Sequence, residues 1–499
     1  MSKTKTTESK AEMHRQPIVA ILGHVDHGKT TLLDYIRTTK VAAREAGGIT
    51  QSIGAYQATF RPKGDPANGG GKDKLLTFID TPGHAAFSKM RSRGAQVADV
   101  VVLVVASDDS VQPQTIESIK HIKAAGVPYV VAINKIDKPD ANVEVVKAEL
   151  TQHEVFVEGY GGNTPFVLIS GKTGAGVDTL LETILLLAEL EEIPYSENES
   201  LTAPIIEAKL DPKKGALVSA IVKTGTLSIG DMVHTETAVA KVRAFFNDQG
   251  VAITKATPGM PVQILGFQTL PSVGEVIVPG TVAELMEQNN LAPANIVAPV
   301  IDPLVKRLNL IIKADTAGSL EAIKGSFTSD VFLITAGTGD ISESDVLMAA
   351  ATGSIILGFN VRVSPSVAKL AEAEKVIIKN HKIIYEILEY VEKKVLKLME
   401  PTIDEDQLGT ATVIKVFEIN GDKIAGCRVE NGRFETGDTI HLNKIDGTVK
   451  DARIKSMRIG KEEVKKVPSG SECGLFLFPN LDVREKDVII AYKKKLDDI

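Results

Sequence analysis

The stretch Gly23-His24-Val25-Asp26-His27-Gly28-Lys29-Thr30 constrains this chain more than any other. Before it lies Pro17-Ile18-Val19-Ala20-Ile21-Leu22, apolar enough for a buried parallel strand. After it, Thr31-Leu32-Leu33-Asp34-Tyr35-Ile36-Arg37 has helical apolar spacing. A strand, then G-x-x-x-x-G-K-[ST], then a helix is a phosphate-binding loop in its required context. The pattern alone is loose and a glycine-rich turn can match it by chance. The flanking strand and helix are what argue against chance here. Gly23 and Gly28 let bare backbone N–H groups close around phosphate oxygens, with His24, Val25, Asp26, His27 and Thr31 completing the loop. Lys29 is expected to reach the β- and γ-phosphates, and the Thr30 hydroxyl to sit on Mg2+.

Three further elements follow in order. Leu75-Leu76-Thr77-Phe78-Ile79 reads as a strand ending in Asp80-Thr81-Pro82-Gly83-His84. A carboxylate at that strand end lies beside the phosphate site, so Asp80 is expected to hold Mg2+ through water; the alternative is a cap on the next helix. The Gly83 N–H is placed to meet a γ-phosphate and sense its loss, and His84 to lie by a hydrolytic water. After a further buried strand, Val100 to Ala106, the strand Tyr129 to Ile133 leads into Asn134-Lys135-Ile136-Asp137. The Asp137 carboxylate accepts from N1 and the exocyclic amine of guanine, a donor pair adenine lacks. Asn134 would read the far edge of the base and the Lys135 stem would cover its face. The last strand, Pro165 to Ile169, runs into Ser170-Gly171-Lys172, whose backbone completes a base pocket. Each element is weak alone; four in this order, each at a strand end, predict a GTP-hydrolysing domain. The loop Gly47-Gly48-Ile49-Thr50-Gln51 reads by itself as a plain mobile connection.

A length of 499 residues suggests roughly three or four domains. A net charge of −7 does not advertise a nucleic-acid binder, although local patches rather than totals do such binding. Two cysteines, Cys427 and Cys473, with no C-x-x-C pair, fit a reducing cytoplasm and argue against a disulfide scaffold or zinc site. Residues 1–16 are polar and read as a disordered tail; no apolar run suits a membrane span.

The rest of the chain divides by pattern. The GTP-binding domain is expected over 17–195. From 196 to 282 short strands and turns, without helices, predict a β-barrel. Its Thr224-Gly225-Thr226-Leu227-Ser228-Ile229-Gly230-Asp231 recurs as Asn431-Gly432-Arg433-Phe434-Glu435-Thr436-Gly437-Asp438. A second barrel of the same design is therefore expected over 402–499, the alternative being two unrelated hairpins with similar turns. Between the barrels, 283–381 holds a linker and alternating strands and helices, an α/β/α sandwich with docking and spacer roles. A connecting helix over 382–401, stopped by Pro401, is either a domain-packing helix or a rigid arm. The fold class expected is thus multidomain α/β plus β.

Val25-Asp26-His27 within the phosphate loop and Asp80-Thr81-Pro82-Gly83-His84 resemble the translational GTPases rather than small signalling GTPases. Gly47-Gly48-Ile49-Thr50-Gln51 and Gln112-Pro113-Gln114-Thr115 narrow the resemblance to bacterial translation initiation factor two and its archaeal and eukaryotic relatives. Asp315-Thr316-Ala317-Gly318-Ser319-Leu320 and Gly358-Phe359-Asn360-Val361-Arg362 point to the bacterial branch, in a short form without the long amino-terminal extension. The resemblance implies that Thr50 closes on Mg2+ and γ-phosphate and that His84 positions the attacking water. It implies that Val25 and Ile49 form an apolar gate holding His84 away until the ribosome engages. It further implies a formylmethionyl pocket on the last barrel made by Cys427, Arg458, Lys461, Glu472, Cys473 and Gly474. Without the resemblance, the two cysteines read as small buried apolar residues. Ser52 stands where the family commonly has His, Gly171 where it has Ala, and Glu435-Thr436-Gly437-Asp438 replaces a more basic stretch. The implied ligands are GTP or GDP with Mg2+. The implied partners are both ribosomal subunits, formylmethionyl-initiator tRNA and other initiation factors, for a cytoplasmic monomer without a membrane role. The competing readings are another translational GTPase and a GTP-switched ribosome-assembly factor.

Overall fold

The structure is a computed structural model that describes residues 15–37, 50–62, 73–193, 199–280, 307–399, 405–419, 422–445, 448–460 and 462–494. Contacts divide the chain into two compact units, Met1–Glu392 and Lys393–Ile499. Among the described residues no helix is long and apolar enough to cross a membrane.

The first unit opens with β1 (Ile18–Gly23), α1 (Lys29–Arg37), β2 (Gly54–Phe60), β3 (Lys74–Asp80) and α2 (Ser88–Val97). There follow β4 (Val100–Ala106), α3 (Pro113–Ala125), β5 (Tyr129–Asn134), α4 (Val143–Gln152), β6 (Phe166–Leu168) and α5 (Val177–Leu190). The sheet runs β2-β3-β1-β4-β5-β6, with only β2 antiparallel to its neighbour. Every residue of β1 and β4 is buried, as continuous apolar runs between helical layers require. Register brings the ends together: Ile21 lies beside Asp80, Gly23 beside Val104, Ala106 beside Asn134, and Ile133 beside Leu168. Parallel pairing thus carries four separated motifs to one sheet edge. Residues 15 and 16 depart from the expected tail. Arg15 is buried against Asp99 at 2.6 Å, and a side chain on Gly259 of the next domain would strike Gln16.

The barrel strands are β7 (Ala203–Asp211), β8 (Gly215–Ile221), β9 (Leu227–Ser228), β10 (Met232–His234) and β11 (Val239–Phe246). β12 (Ala252–Ile253), β13 (Lys255–Ala256), β14 (Pro261–Phe267) and β15 (Val276–Pro279) complete it. The ring closes as β7-β8-β14-β11-β10-β15. Then come β16 (Leu308–Ala314), α6 (Ala317–Gly325), β17 (Val331–Thr338), α7 (Glu343–Thr352), β18 (Ile355–Phe359) and α8 (Pro365–Ala373). They form a parallel sheet, β17-β16-β18-β19, whose edge strand β19 (Ile378–His381) is too short and polar to be expected from pattern. Helix α9 (Ile384–Met399) has Ile384, Ile387 and Val391 buried. Its first turns are therefore packed into the first unit rather than forming a free-standing arm, and the division between units falls within it.

The second unit holds β20 (Glu405–Ile419), β21 (Asp422–Glu435), β22 (Thr439–Asn443), β23 (Val449–Ile459) and β24 (Glu462–Val464). β25 (Lys466–Pro468), β26 (Glu472–Phe478) and β27 (Val488–Lys494) follow. Its ring, β20-β21-β26-β23-β22-β27, matches the first barrel strand for strand. The repeated octapeptide is one device in both. Gly230 and Gly437 have φ of 96° and 98°, and Gly225 and Gly432 have 67° and 70°. Asp231 accepts from Ser228 N at 2.7 Å, as Asp438 accepts from Glu435 N at 2.7 Å. Asp231 O and Asp438 O then accept from Val242 N and Ile454 N, each at 2.9 Å. A carboxylate that closes its own turn, so that the same residue's backbone carbonyl can seat a later strand, is a local device, which is why the repeat is visible in sequence. Replacing Asp438 with Ala should cost the second barrel about 1 kcal/mol, read as faster amide exchange across β22 and β23. Exchange unchanged from wild type would contradict the device.

Candidate functional site

The loop from β1 to α1 curls because three residues adopt positive φ: Gly23 (147°), Asp26 (64°) and Gly28 (85°). A Cβ at Gly23 would lie 2.4 Å from Val104 O, and one at Gly28 would lie 2.5 Å from Asn134 Nδ2, so both positions require glycine. Gln114 of α3 accepts the Val25 N–H at 3.0 Å, and His27 is wholly buried with Nε2 at 3.3 Å from Asp109. Neither Gln114 nor Asp109 was expected at the site; each becomes visible only through the fold. Lys29 lies across the loop, donating to Gly23 O at 2.9 Å. Burial pushes its ammonium down to about 7, although the nearby Asp80 carboxylate pulls it up. Gly83 presses directly on the loop. A Cβ there would sit 2.7 Å from Lys29 Nζ and 2.8 Å from Val25 N. Thr30 and Thr50 hydroxyls meet at 2.8 Å, so the two residues expected on a cation share one position. Asp80 ends β3 beside β1, buried. Ile49 lies outside the described residues.

The residues expected to bind the base gather at the ends of β5 and β6. Asn134 is buried; its Nδ2 donates to His27 O at 2.8 Å and its Oδ1 accepts from Gly171 N at 2.9 Å. Asn134 was expected simply to read the base, but its amide first ties the phosphate loop to the Ser170-Gly171 turn. One N–H and one lone pair are left over for a ligand. Asp137 is exposed at the rim and oriented by Ser170 Oγ at 2.7 Å, a hydrogen bond that holds its carboxyl below the usual range. Lys135 adopts φ 64° and its ammonium lies 3.3 Å from Asp108. Lys172 is exposed beside Asp137. Thr31 lies on the first turn of α1. A Cβ at Gly171 would lie 3.0 Å from Leu32 N, tight but adjustable.

On the second barrel the expected pocket residues separate by face. Strand register sets Lys415 beside Gly426, Gly426 beside Gly474, and Gly474 beside Arg458. One step along lie Phe417, Ile424 and Phe476; on the other side Arg428 and Glu472 pair at 2.5 Å. These residues share one outer face, on which Phe417 lies over Gly426, where a Cβ would be 2.8 Å from its Cε2, and Ile424 lies beside Gly474, where a Cβ would be 3.3 Å from its Cγ2. Arg458, Glu472 and Gly474 belong to this face. Cys427 and Cys473 do not: they pair directly across the strands but point inward, 1% and 5% exposed, into the barrel core. Burial pushes the Cys473 thiol up to about 11 and raises Cys427 as well. The expectation that these thiols line a pocket is corrected by the alternation of the strands. The first barrel agrees, with buried Ala220 and Val262 at the matching core pair and Ser219 beside Gln263 where the second has its glycines. Phe417, Ile424, Gly426 and Phe476 were missed because their juxtaposition needs the register of three strands. Lys461 lies outside the described residues.

Comparison with known proteins bears on the chain as a whole. Residues 14–189 match the family model of the Elongation factor Tu GTP binding domain, 200–280 that of Elongation factor G domain 2, and 284–392 that of Translation-initiation factor 2. A Translation initiation factor IF-2 from Geobacillus sp. (strain WCH70) is 42% identical over 96% of this chain and 67% of its own length. One from Caldanaerobacter subterraneus subsp. tengcongensis is 43% identical over 96% of this chain and 69% of its own. The chain belongs to the translation initiation factor IF-2 family. It spans about two thirds of the length of these IF-2 relatives. A solved GDP-bound aIF5B from Aeropyrum pernix is 27% identical, covering 96% of this chain and 92% of that one, with a TM-score of 0.47. The family and the Elongation factor Tu type domain make the chain a guanine-nucleotide-binding GTP hydrolase.

His84 is not turned loose beside the loop. Its Nδ1 accepts from Ala86 N at 3.0 Å, which places the proton of the neutral ring on Nε2. Tyr385, from the first turn of α9, stands edge-on to the ring with centroids 4.1 Å apart. Burial first, and Arg91 second, hold the imidazole below its ordinary range. Gln51, next to Thr50, grips the same turn: its Nε2 donates to Lys382 O at 2.8 Å and its Oε1 accepts from Ile384 N at 3.0 Å. Beneath them Arg91 is fully buried and donates to Pro82 O, His84 O and Glu117. Burial alone would raise the Glu117 carboxyl, but hydrogen bonds from His121, Ser88 and Arg91 hold it at about 2. Tyr385 is half exposed, so its removal should leave the fold intact and admit water to His84. Tyr385→Ala should raise the His84 pKa toward the ordinary imidazole value, followed by NMR titration. An unmoved midpoint would show that Tyr385 is not what shields the ring.

Proposed function

We propose that this chain binds GTP with Mg2+ between Gly23–Thr31, Thr50, Asp80, Gly83 and the Asn134, Asp137 and Ser170–Lys172 pocket. Its C-terminal barrel carries formylmethionyl-initiator tRNA to the small ribosomal subunit and the factor promotes joining of the large one. The observation that carries the nucleotide half is the meeting of Thr30 and Thr50 hydroxyls at 2.8 Å. Two hydroxyls from segments twenty residues apart, beside a buried lysine and carboxylate, suit a hard cation that prefers oxygen ligands. A triphosphate would also supply the counter-charge that raises the buried Lys29 ammonium back toward its usual value. Asp80 fits the water-mediated side of the same ion. Hydrolysis releases Thr50 and Gly83 from the γ-phosphate and lets the factor leave.

His84 serves to orient water rather than to act as a strong base, since its Nδ1 is committed to the backbone and its neutral ring offers Nε2–H. Turnover is therefore slow until the ribosome redirects the ring, and Val25 beside Gly83 supplies one side of the apolar barrier. His84→Ala should keep GTP affinity and lose ribosome-stimulated turnover by about a hundredfold or more. Equal stimulated rates in both proteins would refute this role.

The tRNA half of the reading rests on the outer-face cluster of the second barrel. Phe417, Ile424 and Phe476, packed around Gly426 and Gly474, offer an apolar surface to a small side chain, while Lys415 and Arg458 suit the adjoining phosphates. Ribosomal subunits and other initiation factors are the remaining partners, in the cytoplasm, for a monomer. Filter binding of formylmethionyl-tRNA to the full chain tests this. Gly474→Val should weaken binding by tenfold or more while GTP binding stays constant; full affinity in that variant would point to a translational GTPase or assembly factor with other cargo.

A further inference from the structure

The parallel sheet of the α/β domain reverses its strand order at β16, with β17 on one side and β18 on the other. The loops that leave β16 and β18 at such a reversal form the usual ligand crevice of an open α/β sheet. Here Asn360, after β18, donates to Asp315, after β16, at 2.6 Å. Asp315-Thr316 then opens α6, whose first amides and positive dipole end make an anion seat. The seat is filled from within the chain. Glu207 of β7 in the first barrel accepts from Gly318 N at 3.1 Å and from its own neighbour Ala208 N at 2.9 Å. Gly318 makes the approach possible: a Cβ there would lie 2.5 Å from Met90 Cε of α2 and 3.0 Å from Glu207 Oε2. Nucleotide domain, barrel and α/β domain thus meet at one glycine.

Among the described residues no cation forms an ion pair with Glu207. Glu207 is 5% exposed and its Oε2 is buried with no hydrogen-bond partner. The cations nearby on α2, Lys89 and Arg93, are paired with Glu321 of α6 at 3.0 and 2.5 Å. Lys313 of β16 is paired with Asp345. What α6 and β16 add toward Glu207 is a second carboxyl, Asp315, itself raised by burial. Burial above all, and Asp315, favour the acid; the Ala208 and Gly318 amides and the Thr316 hydroxyl favour the anion; the balance pushes Glu207 up to about 7.

We propose that Glu207 is a proton-operated latch: as the neutral acid it docks the α/β domain on the barrel and α2, and on losing its proton it loosens that junction. The docked carboxyl sits above its ordinary value of 4.5. Docking therefore takes up a proton; it is fully favoured below that ordinary value and weakens as pH rises through about 7. From about pH 6 to about pH 8 the docking equilibrium should fall about tenfold.

The test uses the full chain with carbon-13-labelled glutamate side chains. The Glu207 carboxyl, identified by its loss in Glu207→Gln, should titrate near 7, and Asp315→Asn should lower that midpoint. Amide exchange over α6, corrected for intrinsic rates, should rise about tenfold across the same pH range in wild type and stay flat in Glu207→Gln. A midpoint in the ordinary carboxyl range, or the same pH dependence in Glu207→Gln, would overturn the latch. Should Glu207→Gln fail to fold, the resonance that moves in Asp315→Asn identifies Glu207 and its wild-type midpoint decides.

Discussion

Gly83 rests so close on Lys29 and Val25 that one methyl group would not fit between them. That contact joins the end of β3 to the loop after β1, and the rest of the site is arranged around it. Whatever occupies the loop must be felt at Gly83, because there is no side chain to take up the displacement. On the other side of the loop Thr50 reaches Thr30 by a hydroxyl contact, so the segment after the undescribed residues 38–49 is anchored at the same place. The base pocket is tied in as well, since Asn134 bonds His27 O with one end of its amide and Gly171 N with the other.

What moves and what stays can be judged from burial. Arg91 is fully enclosed, and losing its charged partner would cost several kcal/mol, so it fixes the backbone at Pro82 and His84. The Gln51 hydrogen bonds and the Tyr385 ring are at the surface, where each such contact contributes about 1 kcal/mol net. A bound triphosphate commands far more than that. The first turn of α9 touches Gln51 beside Thr50 and His84 beside Gly83, and both contacts are weak enough for a ligand to trade. The junction at Gly318 is of another kind, a buried one whose strength follows the proton on Glu207.

The gathering of the candidate site at one sheet edge was legible because its motifs are local. A strand, a glycine loop and a helix follow one another in sequence, and each later motif sits at its own strand end. The paired barrels were legible for the same reason, since Asp231 and Asp438 close turns with residues three positions away. Contacts made across hundreds of residues carried no signal. Nothing near Tyr385 announces that it covers His84, and nothing near Glu207 announces a helix end in another domain. The cysteines show a third limit. Cys427 and Cys473 neighbour the outer-face residues in sequence, yet alternation along the strands turns them into the core. Edge strand β19 went unseen because Ile378-Lys379-Asn380-His381 is mostly polar, and short edges do not need an apolar run.

The account stands on a guanine-selective, magnesium-dependent site at the shared edge of β1, β3, β5 and β6. Titration calorimetry of the purified full chain with GTP, GDP and ATP in the presence of Mg2+ addresses it most directly. Guanine nucleotides should bind at least about a thousandfold more tightly than ATP, because adenine leaves the Asp137 carboxylate unpaired. ATP binding within tenfold of GTP would contradict the account.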